Sequence, residues 1–392
     1  MQALNDHIRF IGAEDDNLDL FEGQYPIPGG ISYNSYFIDD AHPAVVDAVD
    51  LRRCGDWLAA LAEALKATGH AAPEYLLVQH MEPDHSGSVQ ALVNRYPDVR
   101  IVCTAKAAAM LADYFEDMDL GGRILAVADG DTLSLGRTAL RFVTAPMVHW
   151  PEVMMTLDET DGVLFSADAF GTFGMSDSPT GPAWDAEARR YYTNIVGRFG
   201  PSVQSVMKKL AGRNFSIVAP LHGPALRHDL ARYWQLYDKW SRYEPECDGV
   251  LVAYASVYGG TAEAARLLAA ELTERGAGEV VLLDLSRHDV SYAVAEAFRL
   301  SRMALCSVTY DGALFPAMHD FLCHIEAKRL CGRKVALIEN GSWAPQAARL
   351  MAEALGRMKG MEVVPEPLTI HSRLHRADMP ALRDLALRLI HA

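Results

Sequence analysis

The sequence predicts a two-domain α/β protein: a layered αββα sandwich over residues 1–246, then a doubly wound, five-stranded parallel sheet over residues 247–392. Three observations predict it. After residue 247, five apolar strand-like runs alternate with five helical ones; before it, strands cluster without clean alternation; and the polar segment RYEPECDG separates the two textures. A chain of 392 residues has room for two cores, and its hydrophobic half and ordinary charged fraction are those of a folded protein.

In the first domain, SYNSYFID, AVVDAV, YLLVQH and RIVCT read as strands, with helices over 53–67 and 105–115. Residues 123–168 are mostly strand-like, with turn signals at ADGD, SLGR and DETDG. Helical segments are expected through 185–210, a strand at FSIVAPL and another helix over 225–243. In the second domain GVLVAYAS, EVVLLDL, RMALCSV, KVALIEN and MEVVPE are the five strands, each followed by a helix.

The net charge of −15 argues against a nucleic-acid partner, which needs a basic face, and suits an enzyme that docks a small carrier through local charge. No apolar run approaches the ~20 residues of a membrane span. The N-terminus MQALNDHIRF lacks the regions of a signal peptide, so a cytoplasmic protein is expected. Cys54, Cys103, Cys247, Cys306, Cys323 and Cys331 form no CxxC pair. They read as reduced thiols, most of them buried, and exclude a four-cysteine rubredoxin-type iron site in this chain.

The most informative segment is His80-Met81-Glu82-Pro83-Asp84-His85, directly after the strand EYLLVQ. Four potential metal ligands crowd into six residues of a strand-to-helix loop, with Ser86 able to cap the next helix. In extended geometry His80, Glu82 and Asp84 would share one face. His149, Asp168 and His222 each follow a strand's end, so a sandwich would let all seven converge on one edge. His42, His228, His319 and His391 lack this context and read as surface residues.

In the second domain, Ser256-Val257-Tyr258-Gly259-Gly260-Thr261 links a strand to a helix. Its hydroxyls and backbone N–H groups at a helix start suit a phosphate. Val308-Thr309-Tyr310-Asp311-Gly312 and Asn340-Gly341-Ser342-Trp343 follow later parallel strands, where open α/β sheets bind ligands, and Tyr310 and Trp343 offer aromatic faces to a flavin ring.

The first constellation resembles the metallo-β-lactamase superfamily over most of residues 1–245. Hydrolases of that superfamily usually carry HxHxDH and zinc; here Glu82 stands at the second histidine, and oxygen-rich sites favour iron or manganese over zinc. HxExDH, with eighteen residues between His149 and Asp168, resembles the flavodiiron proteins, or A-type flavoproteins. The three later loops resemble flavodoxin, with Gly260, Asp311 and Ala313 departing from its common residues.

The resemblance implies that His80, Glu82 and His149 hold one iron, Asp84, His85 and His222 the other, and Asp168 bridges them, with adjacent Asp84 and His85 the likeliest point of variation. It implies FMN in the second domain, FMN being favoured over FAD because no separate GxGxxG is present. The implied activity is reduction of dioxygen to water, of nitric oxide to nitrous oxide, or both, with rubredoxin, a flavin reductase or reduced deazaflavin as external donor. A head-to-tail homodimer, or a dimer of such dimers, is implied as well. Tyr25 lies where relatives place a residue near the substrate pocket, and either tunes selectivity or packs on the sandwich. Competing readings are a zinc hydrolase with an appended flavodoxin domain and an electron carrier with a vestigial metal site.

Overall fold

The computed structural model describes residues 2–391 as two compact units. One runs to Tyr192 and resumes over Pro201–Tyr237; the other takes Thr193–Gly200 and everything from Asp238 onward.

In the first unit, a six-stranded sheet orders its strands Ile8–Phe10, Tyr36–Ile38, Ala44–Val46, Tyr75–Leu77, Arg100–Thr104 and Ile124–Val127, the last four parallel. A five-stranded sheet orders Thr132–Ser134, Ala139–Thr144, Met154–Asp158, Val163–Phe165 and Ile217–Ala219, antiparallel except for its last pair. Tyr36, Ile38, Val46, Leu77 and Val102 of one sheet and Leu140, Phe142, Met154, Phe165 and Ala219 of the other form one buried core. Helix Cys54–Thr68 buries Trp57, Leu61, Ala64 and Leu65, a single stripe at helical spacing, and stops at Gly69 in the left-handed conformation. Each leucine so buried contributes on the order of 1.5–3 kcal/mol.

The helical segments expected through 185–210 are present, as Asp185–Tyr191, a wide turn over Tyr192–Val196, a tight one over Gly197–Phe199, and Gly200–Leu210. Gly197, Gly200 and Pro201 interrupt the run. Several other expectations are corrected. The helix expected over 225–243 covers only Leu230–Ser241, because Leu226 exchanges backbone hydrogen bonds with Val218 and Asp229 adopts a positive φ of 52°. The strands Ile8–Phe10, Ala13–Asp15, Leu20–Phe21 and Tyr25–Pro26 were not expected; at two or three residues they are too short for alternation to show. Ser86 does not cap the following helix. It ends the short helix Pro83–Ser86 and donates its hydroxyl to the Met81 carbonyl at 2.8 Å. Of the six free cysteines, only Cys103 and Cys306 are fully buried, and Cys323 is exposed.

The second unit orders its parallel strands Glu279–Asp284, Cys247–Ala255, Leu300–Tyr310 and Lys334–Asn340, an open doubly wound sheet. The first strand in sequence serves two cores at once. Val250, Val252 and Tyr254 join the cluster under helices Gly260–Glu274 and Met379–His391. Leu251, Ala253 and Ala255 join the one under Val290–Arg299, Pro316–Ala327 and Ala347–Leu355. Burial on both faces explains its unbroken apolar run. The fifth strand is split: Glu362–Val363 and Leu368–Ile370 both pair with Lys334–Asn340. Pro365 and Pro367 cannot donate to the ladder and Glu366 takes a φ of 55°, so MEVVPE alone does not complete it. No described helix is long and apolar enough to cross a membrane.

Candidate metal and flavin sites

Strand ends deliver the donors. His80 follows strand Tyr75–Leu77 by three residues, and Glu82 precedes the short helix carrying Asp84 and His85. That turn of helix replaces the extended geometry expected for 80–84, and it sends Glu82 and Asp84 to different groups of donors. Asp168 follows strand Val163–Phe165, flanked by Ala167 and Phe170, both with positive φ (50° and 65°). Non-glycine residues in that region are costly and cluster at functional sites. The His222 loop is held by the Asn34 side chain, which donates to the carbonyls of Pro220 and Gly223 at 2.8 Å each.

The seven residues form two nests sharing Asp168. In the first, His80 Nε2 lies 3.3 Å and His149 Nε2 3.0 Å from Asp168 Oδ2, and the same nitrogens lie 3.3 and 3.0 Å from Glu82 Oε2. In the second, Asp168 Oδ1 is 3.2 Å from His85 Nε2 and 3.8 Å from His222 Nε2, and both imidazoles lie 3.3 Å from Asp84 Oδ2. The two histidine nitrogens are 3.0 Å apart. The ligand atoms of His80, Glu82, His149 and Asp168 lie within 4.8 Å of one another, and so do those of Asp84, His85 and His222.

Electrostatics at the nests are severe. Burial pushes the Asp168 and Glu82 carboxyls up, but the facing imidazoles of His80 and His149 outweigh it and hold both below the usual carboxylate range. Burial works against charge on His149 too, yet Asp168 and Glu82 push it up to about 9. Both oxygens of Asp168 and of Asp84 are buried without a hydrogen-bond donor. Four buried carboxylate oxygens facing four imidazole nitrogens, with no conventional donor, are the polar groups that cations would satisfy. The residues therefore fit two metal ions, and an acid-rich set with Glu82 suits iron.

Sequence reasoning missed the residues behind the donors. Glu152 is buried and its carboxylate lies 2.8 Å from His80 Nδ1. Asp47, pushed up to about 6 by burial, accepts the Gln79 backbone and side-chain N–H groups at 2.8 Å each. Tyr191, fully buried, stands 5.5 Å from the His222 ring beside Phe21 at 5.3 Å and Tyr33 at 6.0 Å. Among them only Glu152 carried a signal, its place three residues after His149. Tyr25 is buried with its ring 6.1 Å from Phe173. His42, His228, His319 and His391 are exposed, as expected.

In the second unit, a cavity of about 570 Å³ opens at the C-terminal ends of the parallel strands. It is lined by Ser256, Val257, Tyr258, Gly260 and Thr261, by Val308, Thr309, Tyr310, Asp311 and Gly312, and by Asn340, Gly341, Ser342 and Trp343. Gly259, expected with them, is not a lining residue; its φ of 91° shapes the turn and its N–H donates to Ser256 Oγ at 3.1 Å. A fourth loop was missed. Ser372 also lines the cavity, its Oγ lying 2.6 Å from Ser342 Oγ and its carbonyl accepting Asn340 Nδ2 at 3.1 Å. Asp311 is the single charged side chain of the lining. A helix start, a ring of hydroxyls and the exposed aromatics Trp343 (83 %) and Tyr258 (100 %) fit a flavin mononucleotide, with hydroxyl and N–H dipoles for its phosphate.

Known proteins resemble this chain along most of its length. The family model for ODP family beta lactamase matches residues 31–223. Over 373 residues the chain is 28 % identical to the nitric oxide reductase of Moorella thermoacetica, covering 93 % of this chain and 92 % of that one. It is also 28 % identical over 350 residues to the anaerobic nitric oxide reductase flavorubredoxin of Aeromonas hydrophila, covering 87 % of this chain and 70 % of that one. The structure of rubredoxin oxygen:oxidoreductase from Desulfovibrio gigas superposes with a TM-score of 0.92 at 25 % identity, covering 100 % of this chain and 98 % of that one. With a lactamase-like unit carrying HxExDH, a flavodoxin-like unit after it, and relatives along nearly its whole length, the chain is similar in sequence and in fold to the flavodiiron proteins.

Proposed function

We propose that residues 1–246 act as a non-haem di-iron domain and residues 247–392 as an FMN domain, together reducing dioxygen to water, nitric oxide to nitrous oxide, or both. The observation that carries the reading is Asp168, whose two oxygens face two separate donor nests. His80, Glu82 and His149 would hold one iron, Asp84, His85 and His222 the other, with Asp168 between them. When bound, two ferrous ions and a reduced FMN supply the four electrons that dioxygen needs, while two suffice to couple two molecules of nitric oxide.

The chain's own groups do the rest. The carboxylates neutralise cationic charge in a dry site, and the aromatic wall of Phe21, Tyr33 and Tyr191 limits water around His222. In the second unit Thr309 Oγ1 accepts the N–H groups of Gln346 and Ala347 at 2.9 and 3.1 Å, and so ties together two loops that would flank the flavin. The relatives named for nitric oxide and for rubredoxin and oxygen support both gases and a small external donor, rubredoxin or a flavin reductase. A cytoplasmic head-to-tail homodimer, or a dimer of dimers, completes the reading on the family resemblance. The rival, a zinc hydrolase with an appended flavodoxin domain, leaves Glu82 and the flavin cavity without a task.

The test is to purify the protein, quantify iron, zinc and FMN per chain, reduce it anaerobically and add each gas. Two irons and one FMN with rapid reoxidation by a gas are expected. Two zinc ions, or a fully loaded reduced protein inert to both gases, would overturn the proposal.

A further inference from the structure

The groups behind the metal ligands differ between the two nests. Behind His80, the buried Glu152 carboxylate lies 2.8 Å from Nδ1 and also accepts the Met81 N–H at 2.9 Å. Glu152 is itself fixed, because the Thr104 hydroxyl donates to its carbonyl at 2.9 Å. Behind His222, Nδ1 meets only a neutral acceptor, the Ser32 carbonyl, at 2.7 Å. Nδ1 of His85 is buried without a hydrogen-bond partner. Asp47, the other buried carboxylate nearby, is taken up by Gln79 and hydrogen-bonds neither imidazole. One nest therefore has a carboxylate directly backing an imidazole, and the other has none.

We infer that Glu152 is a positioning residue that makes the two metal positions inequivalent, so that the one built from His80, Glu82, His149 and Asp168 binds a ferrous ion first and more tightly. The inference rests on the two-metal reading of the seven donors. A carboxylate at Nδ1 selects the tautomer with its proton there, leaves the Nε2 lone pair facing the donors, and raises the basicity of the ring. It also removes the ring rotation that a ligand without such a partner must give up on binding. His85 and His222 receive no comparable charge, so their position fills second.

Removing such a partner typically costs about 10–100-fold in metal affinity. The experiment is anaerobic titration of chelator-stripped full-length protein with ferrous ion, followed by calorimetry and by Mössbauer spectra at one equivalent of 57Fe. Wild-type protein should bind in two resolved steps, with one iron environment populated first. Glu152→Gln, checked for an unchanged metal-free melting curve, should weaken the tighter step about 10–100-fold and spread the first equivalent over two environments. Glu152→Asp, which keeps the charge, should recover affinity that Glu152→Gln loses. Wild-type constants in a folded Glu152→Gln protein would overturn the inference alone. Should that variant not fold, wild-type protein decides: equal steps and evenly spread iron overturn the inference, and resolved steps with one environment uphold it. A folded wild-type protein that binds no iron would overturn the two-metal reading and this inference with it.

Discussion

His149 shows how far one residue's ionisation is set by the fold. Burial favours its neutral form, yet Asp168 and Glu82 raise its pKa from 6.5 to about 9 in the metal-free protein. The folded state then holds the proton more tightly than the unfolded chain does. The resulting stability is fully present below the unfolded value and is lost as pH rises through about 9, by an amount on the order of a few kcal/mol. Metal-free protein should therefore show a melting temperature that falls between pH 6.5 and 9. Metal affinity should rise over the same window, because a metal ion must displace that proton. A flat melting curve across it would contradict the assignment of charge to His149. The donors themselves were legible in sequence, because His80, Glu82, Asp84 and His85 crowd one loop and each remaining donor lies in the loop after a strand. Glu152 and Tyr191 were not. An acid in a loop and a tyrosine in a helix look solvated or merely apolar until tertiary packing buries them.

Among elements, the helix Gly260–Glu274 begins against the Ser372 loop more closely than any side chain permits. A Cβ on Gly260 would stand 2.0 Å from the Ser372 carbonyl oxygen and 3.3 Å from Asn340 Nδ2. This accounts for glycine at that position. Gly260→Ala should cost about 1–3 kcal/mol as the loop is pushed away. It should also lower FMN per chain after gel filtration about tenfold or more, since each 1.4 kcal/mol is tenfold in binding. Full flavin retention would show that the loop yields without consequence. The same contact marks a limit of the sequence reading. Strands such as Lys334–Asn340 announce themselves by unbroken apolar runs, whereas Leu368–Ile370 is three residues beyond two prolines and carries no periodicity of its own. The helix expected over 225–243 starts late, at Leu230, because Leu226 pairs with Val218 and Asp229 takes a positive φ, neither of which spacing reveals.

For the molecule as a whole, charge sets a condition on the cofactor. The chain carries a net −15, and the cavity assigned to FMN offers its phosphate hydroxyls and N–H groups, with Asp311 as the only charged side chain in the lining. Dipoles act over a few ångströms and are hardly screened, whereas the field of the whole chain reaches as far as the surrounding electrolyte lets it. That reach shrinks from about 30 Å at 0.01 M ionic strength to about 10 Å at 0.1 M. Most phosphate sites weaken as salt is added, because their cations are masked. Here the masked component is repulsion, so FMN should bind more tightly as salt rises over that range, with flavin fluorescence quenching as the readout. Such a protein would keep its flavin at physiological salt and shed it on dialysis into dilute buffer.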